Sequence, residues 1–131
     1  ESIDTLDDYE EGTGTPVVKI GGTTCGLTST NGYFYTKIGN KVFFSVEFRI
    51  STYNGGSGEV TVDLPYTSRA SNYTTGNIRI YAGTVNGNEF STVHSNEATV
   101  RFRRNVNGGA TSNMTVSVGA YIYTSIFYEA A

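Results

Sequence analysis

From Thr15 onward, apolar and polar residues alternate with a period of two, the mark of a half-buried strand. Residues 42–50 show it best. Val42, Phe44, Val46, Phe48 and Ile50 fall on one face; Lys41, Phe43, Ser45, Glu47 and Arg49 fall on the other. Residues 59–64 repeat the pattern and stop at Pro65, which has no N–H to give a ladder. Residues 77–82 place Ile78, Ile80 and Ala82 inward, and residues 98–103 do the same for Ala98, Val100 and Phe102. Further strands are expected over 17–20, 33–38 and 89–93. Between them stand Gly39-Asn40, Asn54-Gly55-Gly56-Ser57-Gly58, Asn86-Gly87-Asn88 and Asn107-Gly108-Gly109. Gly and Asn tolerate the left-handed backbone that tight turns need. Gly39-Asn40 reads as a two-residue hairpin loop. No segment carries a 3.6-residue apolar stripe. The pattern predicts an all-β antiparallel β-sandwich or jelly roll of about eight strands, without significant helix.

Residues 114–128 read as the last strand and break the rule in an informative way. Even positions run Met114, Val116, Val118, Ala120, Ile122, Thr124, Ile126, Tyr128. Odd positions begin small or polar and then become Tyr121, Tyr123 and Phe127. A sheet with one wet face has no reason to be apolar on both. With no helix to add a third layer, a second copy of the chain is the expected cover. Phe43, out of phase on the strongest strand, belongs with Tyr121, Tyr123 and Phe127 as an expected subunit interface. A bend at Gly119 that switches the inward face is the alternative within one chain.

Charge divides the chain. Twelve Asp+Glu oppose nine Lys+Arg, a formal net charge of −3, which argues against a basic nucleic-acid binder. Six of the acids (Glu1, Asp4, Asp7, Asp8, Glu10 and Glu11) lie in the first twelve residues, with no base among them. Residues 1–14 therefore read as an acidic linker or stalk junction, and 15–131 as one β domain. No apolar run is long enough to span a membrane, and the first residues show no signal-peptide pattern. The Asn72-Tyr73-Thr74 and Asn113-Met114-Thr115 sequons are expected by chance in so Asn- and Thr-rich a chain.

Catalytic chemistry is thinly supplied. One Cys forms no internal disulfide, and one His offers little to a metal site. Cys25 reads as a small buried residue, and His94 as a loop residue that only a three-fold axis would bring to a metal. Glu47, Glu59, Asp63, Glu89, Glu97 and Glu129 lie at outward or loop positions, without the convergent pair that glycoside hydrolysis uses. No enzyme activity, cofactor or metal is expected. Binding chemistry is richer: Tyr53, Asn54, Tyr73, Asn88 and Phe90 lie in loops or at strand ends, and residues of this kind serve adaptable recognition. Arg101 and Arg103, with Arg104, form a basic stripe suited to an acidic polysaccharide or, equally, to guarding a sheet edge.

Three motifs carry a resemblance. Leu6-Asp7-Asp8-Tyr9-Glu10-Glu11-Gly12-Thr13-Gly14-Thr15-Pro16 resembles the Asp-Tyr-Glu-Glu-Gly-Thr-Trp-Thr-Pro junction of tailed-phage tail fibre and tail spike proteins and related prophage proteins. Gly32-Tyr33-Phe34-Tyr35-Thr36-Lys37-Ile38-Gly39-Asn40-Lys41-Val42 resembles a hairpin of the same family, and Leu64-Pro65-Tyr66-Thr67-Ser68 its Leu-Pro-Phe-Thr-Ser. Gly14 departs from the family's Trp. The resemblance implies a C-terminal β-sandwich head on a homotrimeric fibre, located in the virion and extracellular. Such a head contacts a polysaccharide or protein receptor on a bacterial surface and has no catalytic residues. Two other readings stand beside it: a monomeric carbohydrate-binding module of a larger enzyme, and a structural trimerisation domain.

Overall fold

The computed structural model describes residues 8–28, 32–83, 88–106 and 111–131. The described residues form twelve strands: β1 (Tyr9–Gly14), β2 (Val18–Ile20), β3 (Thr23–Thr24), β4 (Gly26–Leu27), β5 (Gly32–Ile38), β6 (Lys41–Thr52), β7 (Val60–Asp63), β8 (Thr74–Tyr81), β9 (Asn88–Val93), β10 (Thr99–Asn105), β11 (Thr111–Asn113) and β12 (Tyr121–Glu129). No helix occurs among the described residues, and so none is long and apolar enough to cross a membrane. All pairings are antiparallel, in the order β1-β5-β6-β12-β8-β9-β10-β7-β2-β3, with β4 on β6 and β11 on β10.

The path is one continuous sheet that folds over on itself like a sandwich. Period-2 burial holds along β6, where Val42, Phe44, Val46, Phe48 and Ile50 are all buried. It holds again along β10, where Val100 and Phe102 point inward. The two faces meet in the core: Phe48 packs edge-on against Phe102, with ring centroids 5.5 Å apart. The corner is β9. Ser91, Thr92 and Val93 are buried in succession, because where a sheet turns over there is no wet side. Its polar groups are satisfied locally. Ser91 Oγ and Thr124 Oγ1 are 2.7 Å apart, and the Thr124 hydroxyl also lies 2.8 Å from the Asn77 carbonyl. The Asn72 amide donates to the Val93 carbonyl at 2.9 Å.

Several expectations shift. The described sheet has twelve strands rather than about eight: β3, β4 and β11 are too short to carry a period, and β1 lies in the segment expected as leader. The domain starts before residue 15: Tyr9–Gly14 pairs with β5 across six positions, from Tyr9 opposite Ile38 to Gly14 opposite Tyr33. Residues 1–7 of the acidic leader lie outside the described residues, as do Asn86-Gly87 and Asn107–Gly109 of the expected turns. Ala82 is exposed with φ 58°, so β8 has already ended and the inward phase is lost. Ala98 precedes β10 and is exposed. The long final strand is broken at Gly119 (φ 90°), where Val118 turns out to solvent and β12 begins afresh at Tyr121. Inward phase nonetheless survives the break: Met114, Val116, Ala120, Ile122, Thr124, Ile126 and Tyr128 are all buried.

Two rims follow from the ladder. On the near rim, Gly39 N–H donates to Asp8, Ala130 N–H to Asn40, and Ala131 N–H to Thr67. The first described residue and the last thus lie together. On the far rim stand the β6–β7 loop, the end of β8, the start of β9, and the 117–120 turn, whose Gly119 N–H donates to Ile50.

Candidate functional site

The outer face of β1, β5, β6, β12 and β8 is a register of rows. Thr36, Phe43 and Phe127 form one row; Phe34, Ser45, Ser125 and Asn77 the next; then Glu47, Tyr123 and Arg79; then Arg49, Tyr121 and Tyr81. The four residues expected at a subunit interface therefore share one face of two adjacent strands. No part of the described chain covers it: Phe34, Phe43 and Phe127 are 59%, 53% and 39% exposed. Phe43 and Phe127 are cross-strand partners with rings 5.2 Å apart, and Tyr81 and Tyr121 lie at 5.9 Å. Arg49 sits 4.7 Å from the Tyr121 ring centroid, and Arg79 lies 5.3 Å from that of Tyr123. The face is aromatic across its width, with cations laid on its rings. Phe34 and Tyr81 join this face without being among the four expected there, because only the register sets their strands beside β6 and β12.

β1 is the edge of this layer, and its clasp lies on the opposite, core-facing side, where Tyr33 packs on Phe44. Its glycines are matched to rings on β5: a Cβ on Gly12 would stand 2.4 Å from the Tyr35 ring, and one on Gly14 would stand 2.6 Å from the Tyr33 hydroxyl. Gly14, the departure from the family motif, is thus where Tyr33 lies across the backbone. Glu10 completes the clasp by accepting hydrogen bonds from Tyr66 and, at 2.8 Å, from Tyr35. These two phenol bonds hold the Glu10 carboxyl below the usual carboxylate range, and the same contact pushes the Tyr66 phenol well above that of a free tyrosine. Tyr128, fully buried, is also pushed up, by desolvation; its hydroxyl donates to the Tyr66 carbonyl at 2.9 Å. Both phenols have raised values in the fold. Their stabilisation is therefore whole below about pH 10, the value of an unfolded tyrosine, and is lost as pH climbs beyond it. We expect part of the tyrosine absorbance change at 295 nm to appear only with loss of near-ultraviolet circular dichroism, in one cooperative step above pH 10. All ten tyrosines titrating smoothly near pH 10 would contradict the clasp.

The expected ligand-binding residues do not form one site. Tyr53, Asn54 and Asn88 lie on the far rim. Asn54 takes φ 52°, and its amide donates to the Thr24 carbonyl at 3.0 Å, a turn-holding role. Tyr73 lies on the near rim, 71% exposed, its ring 5.2 Å from that of His94. Phe90 is opposite Arg103 on the outside of the second layer. The arginine stripe is locally neutralised. Arg101 is bound by Glu97 and lies 3.7 Å from Glu59, while Arg103 reaches Glu59 at 3.1 Å and Asn113 at 2.6 Å. Other carboxylates are similarly engaged, Glu129 by Arg69 at 2.8 Å and by Lys41. Among the described residues no three of His, Cys, Asp and Glu come together as metal ligands. Burial raises the thiol of Cys25 above its ordinary value, which leaves it a poor nucleophile.

A cleft of about 390 Å³ opens on the far rim, between the β6–β7 loop and residues 113–116. Of the expected binding residues only Tyr53 lines it. The others along it, among them Ser57, Met114 and Thr115, carry turn and strand signals but none for a cleft, since the two segments lie more than fifty residues apart and only the fold brings them together.

No family model matches the sequence, and no curated protein is significantly similar to it. Among solved structures, the crystal structure of the Dettilon tailspike protein superposes on 92% of this chain with a TM-score of 0.75 and 18% sequence identity. The chain spans about a quarter of that protein's length, 24%. At this identity the likeness is one of fold.

Proposed function

We propose that the chain is the head domain of a tail fibre or tail spike, a virion component of a tailed phage that contacts glycans on the host surface. The observation that carries this is the fold likeness to a tailspike protein over nearly the whole chain, together with motifs in the first half that resemble the same class. Three copies associate through the outer face of β5, β6, β12 and β8, whose rings are otherwise left to water. In that arrangement β1 leads from the shaft, and the near rim faces it. The far rim is turned to the host, and three weak sites per fibre act together by avidity. The module is non-catalytic: Glu59, Glu97 and Glu129 serve as ion-pair partners.

Staining of host cells by the fluorescently labelled domain tests this reading. Across a panel of candidate bacteria, at least one strain binds the trimer, and removal of its surface polysaccharide abolishes the signal. A stable monomer at micromolar concentration that still binds sugar would favour the carbohydrate-binding module instead. A trimer that stains no strain would favour a purely structural domain.

A further inference from the structure

We infer that the far-rim cleft is a subsite for a neutral saccharide unit, an inference that rests on the reading of the domain as a glycan-binding head. The cleft's volume of about 390 Å³ falls within the range of small-molecule sites, roughly 300–1,000 Å³. Apolar side chains line it from both sides, Ile20 on one and Met114 and Val116 on the other, all of them buried. Buried Val60 and half-buried Tyr53 add to the lining. Its other polar side chains are uncharged: the Ser57 and Thr115 hydroxyls and the Asn113 amide, whose oxygen accepts from Arg103 at 2.6 Å. A sugar ring has this same division, a C–H face and a hydroxyl edge. Among the described residues no carboxylate, amine, guanidinium or imidazole lines the cleft. An anionic sugar placed there would lose hydration without gaining a counter-charge. Arg103, bonded to Asn113 beside the cleft, is itself engaged by Glu59 at 3.1 Å.

The walls are also fixed in place. The β6–β7 loop is bound to the β2–β3 turn: Gly21 N–H donates to Glu59 at 2.8 Å and the Asn54 amide to Thr24 at 3.0 Å. The fit is close enough that a Cβ on Gly21 would stand 1.8 Å from the Ser57 carbonyl oxygen, and Gly21 takes φ 58°. Only glycine meets both conditions. Across the cleft, the Tyr53 hydroxyl donates to the Val116 carbonyl and ties the two walls together. A site held this way binds without first paying to order its loops.

Ligand-observed NMR tests it. The whole domain is mixed at millimolar concentrations with glucose, galactose, mannose, rhamnose and N-acetylglucosamine, and separately with glucuronic and N-acetylneuraminic acids. At least one neutral sugar receives saturation transfer. The signal falls at least tenfold in Thr115→Trp, which fills the mouth from an exposed position, and several-fold in Ser57→Ala. It is unchanged in Tyr73→Ala, on the opposite rim. Ser57→Ala, in an exposed loop, keeps the test valid should the tryptophan variant fold poorly. Overturning results are no transfer to any neutral sugar, transfer only to the acidic sugars, or transfer indifferent to both cleft variants. If the cleft fails while the labelled domain still stains cells, only this subsite is wrong. If the parent domain stains no cells at all, the head-domain reading falls with it.

Discussion

A Gly76→Ala chain is expected to lose about 2–4 kcal/mol of stability, although the change adds one methyl group. Gly76 lies in β8 between β12 and β9. An added Cβ would stand 2.5 Å from the Ser125 carbonyl oxygen, 2.7 Å from Ser91 Oγ and 3.1 Å from Ile126 Cβ. The first of these is backbone and cannot rotate away. The second is bonded to Thr124 within the buried corner. Room is made either by parting β8 from β12 or by turning Ser91 off its partner. The first route strains the ladder, and the second leaves a buried hydroxyl unpaired. Removing glycine from a strand recovers about 0.4–1 kcal/mol through the unfolded chain, too little to offset either route. A domain of this size has a total of about 5–15 kcal/mol, so the midpoint of urea unfolding falls markedly. Ser91→Ala in the same chain relieves one of the two conflicts, and the pair should cost less than the sum of its parts. A Gly76→Ala chain within about 0.5 kcal/mol of its parent, the usual range of a neutral surface substitution, would mean that the β8–β12 register is wrong.

How much of this was legible in the sequence depends on the length of each element. β6 alternates for ten residues, and every inward position was read correctly; β10 and the inward side of β12 were read almost as well. Ala82 and Ala98 failed because a strand's end is set by backbone conformation, here a positive φ at Ala82, and the period cannot report it. β3 and β4, two residues each, lie below any period. The pairing of residues 9–14 was illegible for a different reason. Glu10 and Glu11 look like solvated linker, but on an edge strand outward charge is compatible with pairing, and Gly12 and Gly14 make room for tyrosines of β5. The aromatic face was half legible, through Phe43 and the odd positions of the last strand; its width required the register. The far-rim cleft was legible only at Tyr53, since a site assembled from separate loops leaves no local pattern.

On the proposed trimer, a chain carrying both Phe43→Ser and Phe127→Ser is expected to separate into folded monomers. The two rings are already 53% and 39% exposed, so the isolated fold owes them little beyond their cross-strand contact, about 0.5–1 kcal/mol. In the assembly their weight is different. Fully burying an exposed large apolar side chain contributes about 1.5–3 kcal/mol; with each ring about half exposed, removing two subtracts about 1.5–3 kcal/mol per subunit, or roughly 10- to 10²-fold in association at 1.4 kcal/mol per decade. Serine is the conservative choice, because the neighbouring row already holds Ser45 and Ser125, their hydroxyls 2.8 Å apart on the same face. Sedimentation at micromolar concentration reads the assembly directly. Thermal unfolding supplies a second reading: association raises the parent's midpoint with protein concentration by mass action, and the variant's midpoint should not move with dilution. Val17→Ser, about as exposed as Phe127 but beside β7 on the other layer, leaves both measurements as they were. A parent that sediments as a monomer would remove the trimer. An unaltered trimer in the doubly substituted chain would move the interface to another face, and the rings of β6 and β12 would then need a different partner.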